Sequence, residues 1–147
     1  MLKNDFYTVH ELTTLAQMSE QFDLFRQLNG SVSQPDYERM LADEMIPSGY
    51  RMVGIFDGDL CVGISGMWFG TKLYCGKYLE ADNVVIDEKY RSKGVGKILF
   101  DWMEAEGKRL GCTLLMLDAY VENFPVHRFY YRQGFIARGF HYLKKLD

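Results

Sequence analysis

The sequence predicts a mixed α/β fold in one domain of 147 residues. Apolar residues recur at helical spacing in the first third of the chain, and β-rich runs joined by glycine turns follow from Tyr50. A strand, a glycine-containing turn, a helix and a buried strand then come in order. A chain of this length buries roughly two thirds of its unfolded surface, which is enough for one core.

Two amphipathic helices are predicted before most of the strands. Thr8 to Glu11 match the S/T-x-x-E capping box, and apolar residues at helical spacing follow from Leu12 to Phe25. Ser33 precedes a second helix, which carries Pro35 in its first turn and ends at Pro47.

The strands are predicted from runs of apolar and β-branched residues. These runs are residues 1–10, 50–57, 60–70, 78–87, 113–120 and 135–146. Gly58-Asp59 between the second and third runs is a strong hairpin signal. Val84-Val85-Ile86 is apolar on both faces, as a central strand should be.

The middle of the chain predicts a β-α-β unit. Apolar residues from Ile98 to Leu110 form one side of a helix between the runs 78–87 and 113–120. Such units almost always close right-handed with parallel strands. Asn123 is predicted to cap a shorter helix that ends at Arg132.

Composition excludes several classes of protein. Hydrophobic residues make up 48% and charged residues 25% of the chain, which favours neither disorder nor a membrane span. The start lacks a secretory layout, so we expect a cytoplasmic protein. A net charge of -3 disfavours nucleic acid as a partner. The three cysteines and three histidines follow no metal or disulfide spacing, so we expect no metal.

The stretch YRSKGVGK, from Tyr90 to Lys97, is a candidate phosphate site. A P-loop needs Ser or Thr after Gly-Lys, but Ile98 stands there, and a dinucleotide fingerprint needs a third glycine where Leu99 stands. What remains is a glycine turn at a helix start, which suits a pyrophosphate held by backbone amides without metal.

The R-x-x-G-x-G spacing from Arg91 resembles the acyl-coenzyme A signature of the GNAT superfamily. Asn123 to Phe135 is similar to the family's second signature, N-x-x-A-x-x-x-Y-x-x-x-G-F, with Val126 at the alanine. The resemblance covers the chain from about Tyr50 and implies residues 1–147 as a single GNAT domain. It also implies the acyl-CoA N-acyltransferase fold, a twisted mixed sheet of six to seven strands with about four helices, splayed between the fourth and fifth strands.

For activity, the resemblance implies an N-acetyltransferase that moves an acetyl group from acetyl-CoA directly to a primary amine. The pantetheine arm would pair with backbone groups of Val84, Val85 and Ile86, and the Asn123 side chain would also reach it. The residues implied at the pyrophosphate are Arg91, Ser92, Lys93, Gly94, Val95, Gly96 and Lys97. Core packing for the three strand residues and simple capping by Asn123 are the structural alternatives.

The resemblance also implies catalytic roles. Tyr130 would protonate the departing thiolate, and a backbone N–H near Val84 or Val85 would polarise the carbonyl. Two carboxylates are candidates for the base, Glu80 first and Asp118 second, with ordered water as a third possibility. Asp82 shares the face of Glu80 and would attract a cationic amine.

The sequence does not identify the acceptor. The family places acceptor contacts on the first helices and near Met67-Trp68-Phe69, and nothing in the sequence separates a small-molecule amine from a peptidyl one. A non-catalytic acyl-CoA-binding or regulatory domain on the same fold is the alternative function. A homodimer paired through the last strand is also left open.

Overall fold

The structure is a computed structural model that describes residues 6–147. The strands are β1 (Tyr7–Leu12), β2 (Arg51–Asp57), β3 (Leu60–Lys72), β4 (Gly76–Ile86) and β5 (Leu114–Met116). The α-helices are α1 (Leu15–Ser19), α2 (Phe22–Arg26), α3 (Gln34–Met40), α4 (Val95–Arg109) and α5 (Phe124–Arg132). A π-helical turn (Leu41–Met45) and two 3₁₀ turns (Ile46–Ser48 and Glu88–Tyr90) complete the elements.

The chain divides into two compact units, one ending at Met116 and one beginning at Leu117. The first unit holds the whole sheet and helices α1 to α4. The second unit holds α5 and the segment after it.

The sheet has the strand order β1-β2-β3-β4-β5. The first four strands are antiparallel neighbours, and β5 pairs parallel to β4. The predicted hairpin at Gly58-Asp59 joins β2 to β3, and Gly58 has a φ of 61° there. Helix α4 connects the two parallel strands, so the β-α-β unit and the mixed α/β fold class are confirmed.

The first predicted strand, residues 1–10, is confirmed over residues 7–10, and its first five residues lie outside those that the structure describes. The beginning of the first predicted helix is wrong. Residues 7–12 form β1, which pairs along its whole length with β2, from Tyr7 opposite Asp57 to Leu12 opposite Met52. The capping box lies six residues later: the Gln17 amide donates to Thr14 Oγ1, and the Thr14 amide donates to Gln17 Oε1, both at 3.1 Å. Strand pairing with β2 therefore overrides the local helix signal at Thr8.

The second predicted helix is confirmed at its start. Ser33 accepts a hydrogen bond from the Asp36 amide at 3.2 Å, and Pro35 lies in the first turn of α3. The helical path continues past the predicted end at Pro47 and stops at Gly49, whose φ is 100°.

The C-terminal strands are shorter than predicted. β5 spans three residues of the run 113–120, and Leu114 is 37% exposed although a buried strand is predicted there. The run 135–146 forms no strand, so the described residues hold five strands where six to seven are expected. A run of alternating apolar and polar residues forms a strand only where a neighbouring strand supplies hydrogen bonds to it. No described strand pairs with this run.

Both faces of the sheet are covered within the first unit. Helices α1 to α3 and one sheet face bury a single apolar cluster, which includes Phe25, Tyr37, Ile64 and Val85. Helix α4 packs on the opposite face, where Leu79, Met67, Leu99 and Met103 are fully buried. The two faces together fix the middle strands, β3 and β4, between helices.

An ion-pair network attaches α4 to the sheet. Arg51 on β2 donates to Glu11 on β1 at 2.6 and 2.8 Å and to Glu106 on α4 at 2.5 Å. Glu106 also accepts two hydrogen bonds of 2.8 Å from Arg109. The Arg109 hydrogen bonds, opposed by burial and aided by Arg51, lower the pKa of Glu106 to about 2.

Candidate active site

Strand β4 contains a bulge next to its C-terminal end. Ile64 of β3 lies opposite Val85, but Gly66 lies opposite Asp82, so one β3 residue faces two residues of β4. Asn83 has a φ of 55° at this point. Asparagine tolerates the left-handed region better than most residues, and bulges re-aim the backbone of one strand. This bulge was not predicted from the sequence, in which an Asn inside an apolar strand is the available signal.

Beyond the bulge, one edge of β4 has no strand partner in the part of the chain that the structure describes. Pairing with β5 covers Tyr78 to Glu80 and ends there. Val84, Val85 and Ile86 continue the strand after that point. Backbone groups on an unpaired strand edge can bind an extended ligand as an added strand would.

The loop after β4 is held by hydrogen bonds to its neighbours. The Asp87 carboxylate caps the turn Glu88–Tyr90 by accepting from the Lys89 amide at 2.9 Å. The Tyr90 hydroxyl donates to Asp57 at the end of β2 over 2.7 Å. These bonds hold the segment that leads into residues 91–94, which directly precede α4.

The loop 91–94 has the backbone shape of an anion cradle. Ser92 and Gly94 both adopt left-handed conformations, with φ of 65° and 81°. Gly94 occupies the N-cap position of α4, and no side chain among the described residues caps this helix start. The first amides of the helix, those of Val95, Gly96 and Lys97, therefore have no acceptor within the helix. Such amides and the helix dipole favour a bound anion.

Basic side chains surround this loop. The Arg91 guanidinium donates from Nε to the Ile86 carbonyl at 3.3 Å, and Lys93 lies 5.2 Å from the centre of the Tyr90 ring. Lys97 pairs with Asp101 at 2.7 Å on the exposed side of α4. Positive charge therefore accompanies the left-handed backbone turns.

Two candidate acidic residues share one face of β4. Glu80 is the last β4 residue that pairs with β5, and it lies opposite Trp68 of β3. The Trp68 indole donates to Asp82 Oδ2 at 3.0 Å. The acidic residues thus lie between the end of the paired strand and the bulge.

A cavity of about 160 Å³ lies on the same face, between helices α2 and α3 and the sheet. Three aromatic rings and three methionines form much of its wall: Phe25, Tyr37, Tyr50, Met40, Met45 and Met52. Asn83 of the bulge also lines it. The sequence predicts acceptor contacts on the first helices, but none of these wall residues was predicted as such a contact.

Within the second unit, Tyr130 lies on α5 between two aromatic rings. Its ring centre is 5.5 Å from those of Phe129 and Phe135, in edge-on arrangements. Burial raises the pKa of Tyr130 to about 12. The phenol therefore keeps its proton throughout the neutral range.

The other two candidates of the second unit differ in environment. Asn123 occupies the N-cap position of α5, but its side chain makes no capping hydrogen bond there. Asp118 pairs with His141 at 3.0 Å, and both side chains are 59% exposed. Asp118 is thus a solvated carboxylate with a histidine partner.

Two other kinds of feature, a metal-binding cluster and a membrane-spanning helix, are absent from residues 6–147. No group of three or more His, Cys, Asp or Glu side chains there could hold a metal ion. Likewise, none of the helices described has the length and apolarity that crossing a bilayer requires.

Known proteins that resemble this chain are acetyltransferases. The sequence model of the Acetyltransferase (GNAT) family matches residues 14–135. An uncharacterized N-acetyltransferase, YhdJ of Bacillus subtilis (strain 168), is 21% identical over 135 residues, which cover 91% of this chain and 95% of that protein.

Two solved structures share the fold. The crystal structure of glucosamine-6-phosphate N-acetyltransferase from Arabidopsis thaliana superposes with a TM-score of 0.74 at 24% identity, covering 96% of this chain and 99% of that one. AAC(6')-Iy in complex with a bisubstrate analog, CoA-S-monomethyl-acetylneamine, gives a TM-score of 0.79 at 16% identity and covers 95% and 99%.

Proposed function

Since this chain belongs to the GNAT acetyltransferase family, we propose that it transfers the acetyl group of acetyl-CoA directly to a primary amine of a small molecule or peptide. One observation carries the proposal: the β4 edge beyond Glu80 lacks a strand partner among the described residues, and it leads into a loop with two left-handed residues at a helix start. The whole chain, residues 1–147, acts in this proposal as one domain.

The donor is bound by backbone groups in this proposal. Val84, Val85 and Ile86 offer amides and carbonyls to the pantetheine arm, which has amides of its own to pair. The range 91–97 receives the diphosphate through its amides and basic side chains. The Asn123 side chain, which makes no cap bond to α5, adds a contact to the pantetheine.

The chemistry divides among few residues. Acetyl-CoA supplies an acetyl thioester, and the amine attacks its carbonyl carbon while the carbon–sulfur bond breaks. An N–H of Val84 or Val85 stabilises the negative charge on the carbonyl oxygen. Tyr130 gives its phenolic proton to the departing thiolate, a role that its raised pKa of about 12 suits because the proton is present at neutral pH.

Glu80 is the proposed base for the amine proton. It lies on the face of β4 that also carries Asp82 and borders the bulge. Asp82 attracts the cationic form of the amine, and Glu80, directly or through a water molecule, removes its extra proton so that the neutral amine can attack. The second proton, lost from the nitrogen as the amide forms, replaces the proton that Tyr130 gives to the thiolate. Asp118 is the weaker candidate because it is exposed and paired with His141.

The test combines donor binding with turnover. Acetyl-CoA at about 100 times its Kd should stabilise the protein by about 2.7 kcal/mol and raise Tm by several degrees, whereas ATP and NAD should leave Tm unchanged. Release of free thiol with a library of primary amines measures the transfer. A larger Tm shift with ATP or NAD, or no shift with acetyl-CoA, would overturn the assignment.

A further inference from the structure

We infer that the acceptor is a primary amine that carries an apolar group about the size of a phenyl ring, and that the cavity between α2, α3 and the sheet binds this group. This inference rests on the proposed function and assigns the substrate class to the same site. Three observations support it: the composition of the cavity wall, its volume and its position beside the bulge.

The cavity wall is apolar. Phe25, Met40 and Met45 come from the helical side, and Met52 and Ile64 come from the sheet. Methionine packs well against aromatic groups because its thioether is flexible and polarizable. None of the described residues that line the cavity carries a charge, so a phosphate or a second ammonium group on the acceptor would lose its hydration there without compensation.

The volume matches one small ring. Apolar cavities of about 150 Å³ admit a benzene molecule, and this cavity measures about 160 Å³. A sugar ring would be of similar size, but its hydroxyl groups need hydrogen-bond partners. The hydrogen of the Tyr37 hydroxyl is already used, since it is donated to the Met18 carbonyl at 2.8 Å. The remaining polar groups of the wall come from Tyr50 and Asn83.

The position of these two polar residues orients the acceptor. Asn83 forms the bulge and lines the cavity, and its neighbours in sequence are Asp82 and Val84. Tyr50 packs directly over Gly66, where any side chain would overlap its ring. An apolar group inside the cavity therefore leaves an attached amine at the bulge, beside the carboxylate of Asp82 and the backbone proposed to bind the thioester.

The experiment compares amines that differ in one group. Acetyl transfer to phenethylamine, ethylamine and 2-aminoethylphosphonate is followed by thiol release. Burial of the ring should raise kcat/KM for phenethylamine about 30-fold or more over ethylamine, because a phenyl group in an apolar pocket gains about 2 kcal/mol or more. The phosphonate should be the poorest of the three acceptors.

A cavity-filling variant ties this preference to the cavity. Val32→Phe places a ring into the space from the loop before α3, and the ratio of phenethylamine to ethylamine should fall toward one. Leu28→Phe is the matched control, because Leu28 is 51% exposed and does not line the cavity. It should keep the full ratio. If Val32→Phe does not fold, Met40→Trp makes the same test.

The results of these experiments test the inference independently of the proposed function. Equal kcat/KM for phenethylamine and ethylamine, a preference for the phosphonate, or an unchanged ratio in Val32→Phe would overturn the inference while acetyl transfer stands. If no amine reacts, phenethylamine is titrated by calorimetry: binding that Val32→Phe abolishes supports the cavity, and binding that it leaves unchanged, or no binding, refutes it. Absence of a Tm shift with acetyl-CoA refutes the proposed function alone.

Discussion

Replacing Tyr130 by Phe tests the proposed acid most directly. The pKa of Tyr130 is about 12, so at pH 8 only about one phenol in ten thousand is ionised, and nearly every molecule has the proton to give. Removing a positioned general acid lowers turnover by about 10² to 10⁴, which corresponds to roughly 2.7 to 5.5 kcal/mol of activation free energy. We expect kcat to fall within this range in Tyr130→Phe.

The assay is thiol release under saturating acetyl-CoA, with the best acceptor of the amine library. Tyr131→Phe is the matched control, since Tyr131 is the next residue on α5 and its side chain is 58% exposed. It should retain wild-type turnover, and both variants should show the wild-type Tm shift with acetyl-CoA. Turnover of Tyr130→Phe within about threefold of wild type would refute the role. A wild-type basic limb below about pH 10 that Tyr130→Phe removes would instead contradict the raised pKa and keep the acid role, because a phenol with a pKa of about 12 stays protonated there.

Three further predictions concern the base, the loop and the fold. Glu80→Gln should lower kcat/KM and remove the acidic limb of the pH profile, while Asp118→Asn should keep that limb; the opposite pattern would make Asp118 the base. Gly94 and Gly111 have similar φ values of 81° and 82°, so replacing either by Ala should lower the free energy of unfolding in urea by about 1–2 kcal/mol. Only Gly94→Ala should also weaken acetyl-CoA binding in calorimetry. Glu106 has its pKa lowered to about 2 from 4.5, so its roughly 3 kcal/mol of stabilisation is present above about pH 4.5 and disappears as the pH falls toward 2. Glu106→Gln should therefore be less stable than wild type at pH 7 and nearly equal at pH 2, and an equal deficit at both pH values would contradict the cause.

The sequence predicts the β-α-β unit well because its signals agree with each other. The apolar strand at Val84, the glycine turn at Gly94 and the apolar side of α4 each favour the same local structure, and the fold satisfies all three. The glycine turn at Gly94 was therefore predictable from residue types, whereas the left-handed conformation of Ser92 was not.

The features that were not predicted correctly depend on tertiary contacts. The residues from Thr8 to Glu11 match the capping-box pattern, but they form a strand because they pair with β2. Only the presence of the partner strand decides between a helix start and a strand here. The bulge at Asn83 depends on the register between β3 and β4, which a single strand does not encode. The cavity wall combines residues from Phe25 to Asn83, so neither its volume nor its polarity follows from any one segment.

The network of Arg51 with Glu11 and Glu106 has a consequence at the opposite end of α4. Glu106 lies eleven residues after Val95, so the anchored turn is about 16 Å along a straight helix from its start. Helix α4 is attached to the sheet at Glu106 and is joined to β4 through a hydrogen-bonded loop. It therefore has little freedom to tilt. The amides at its tip are consequently pre-organised for a ligand, and binding there should cost little conformational entropy.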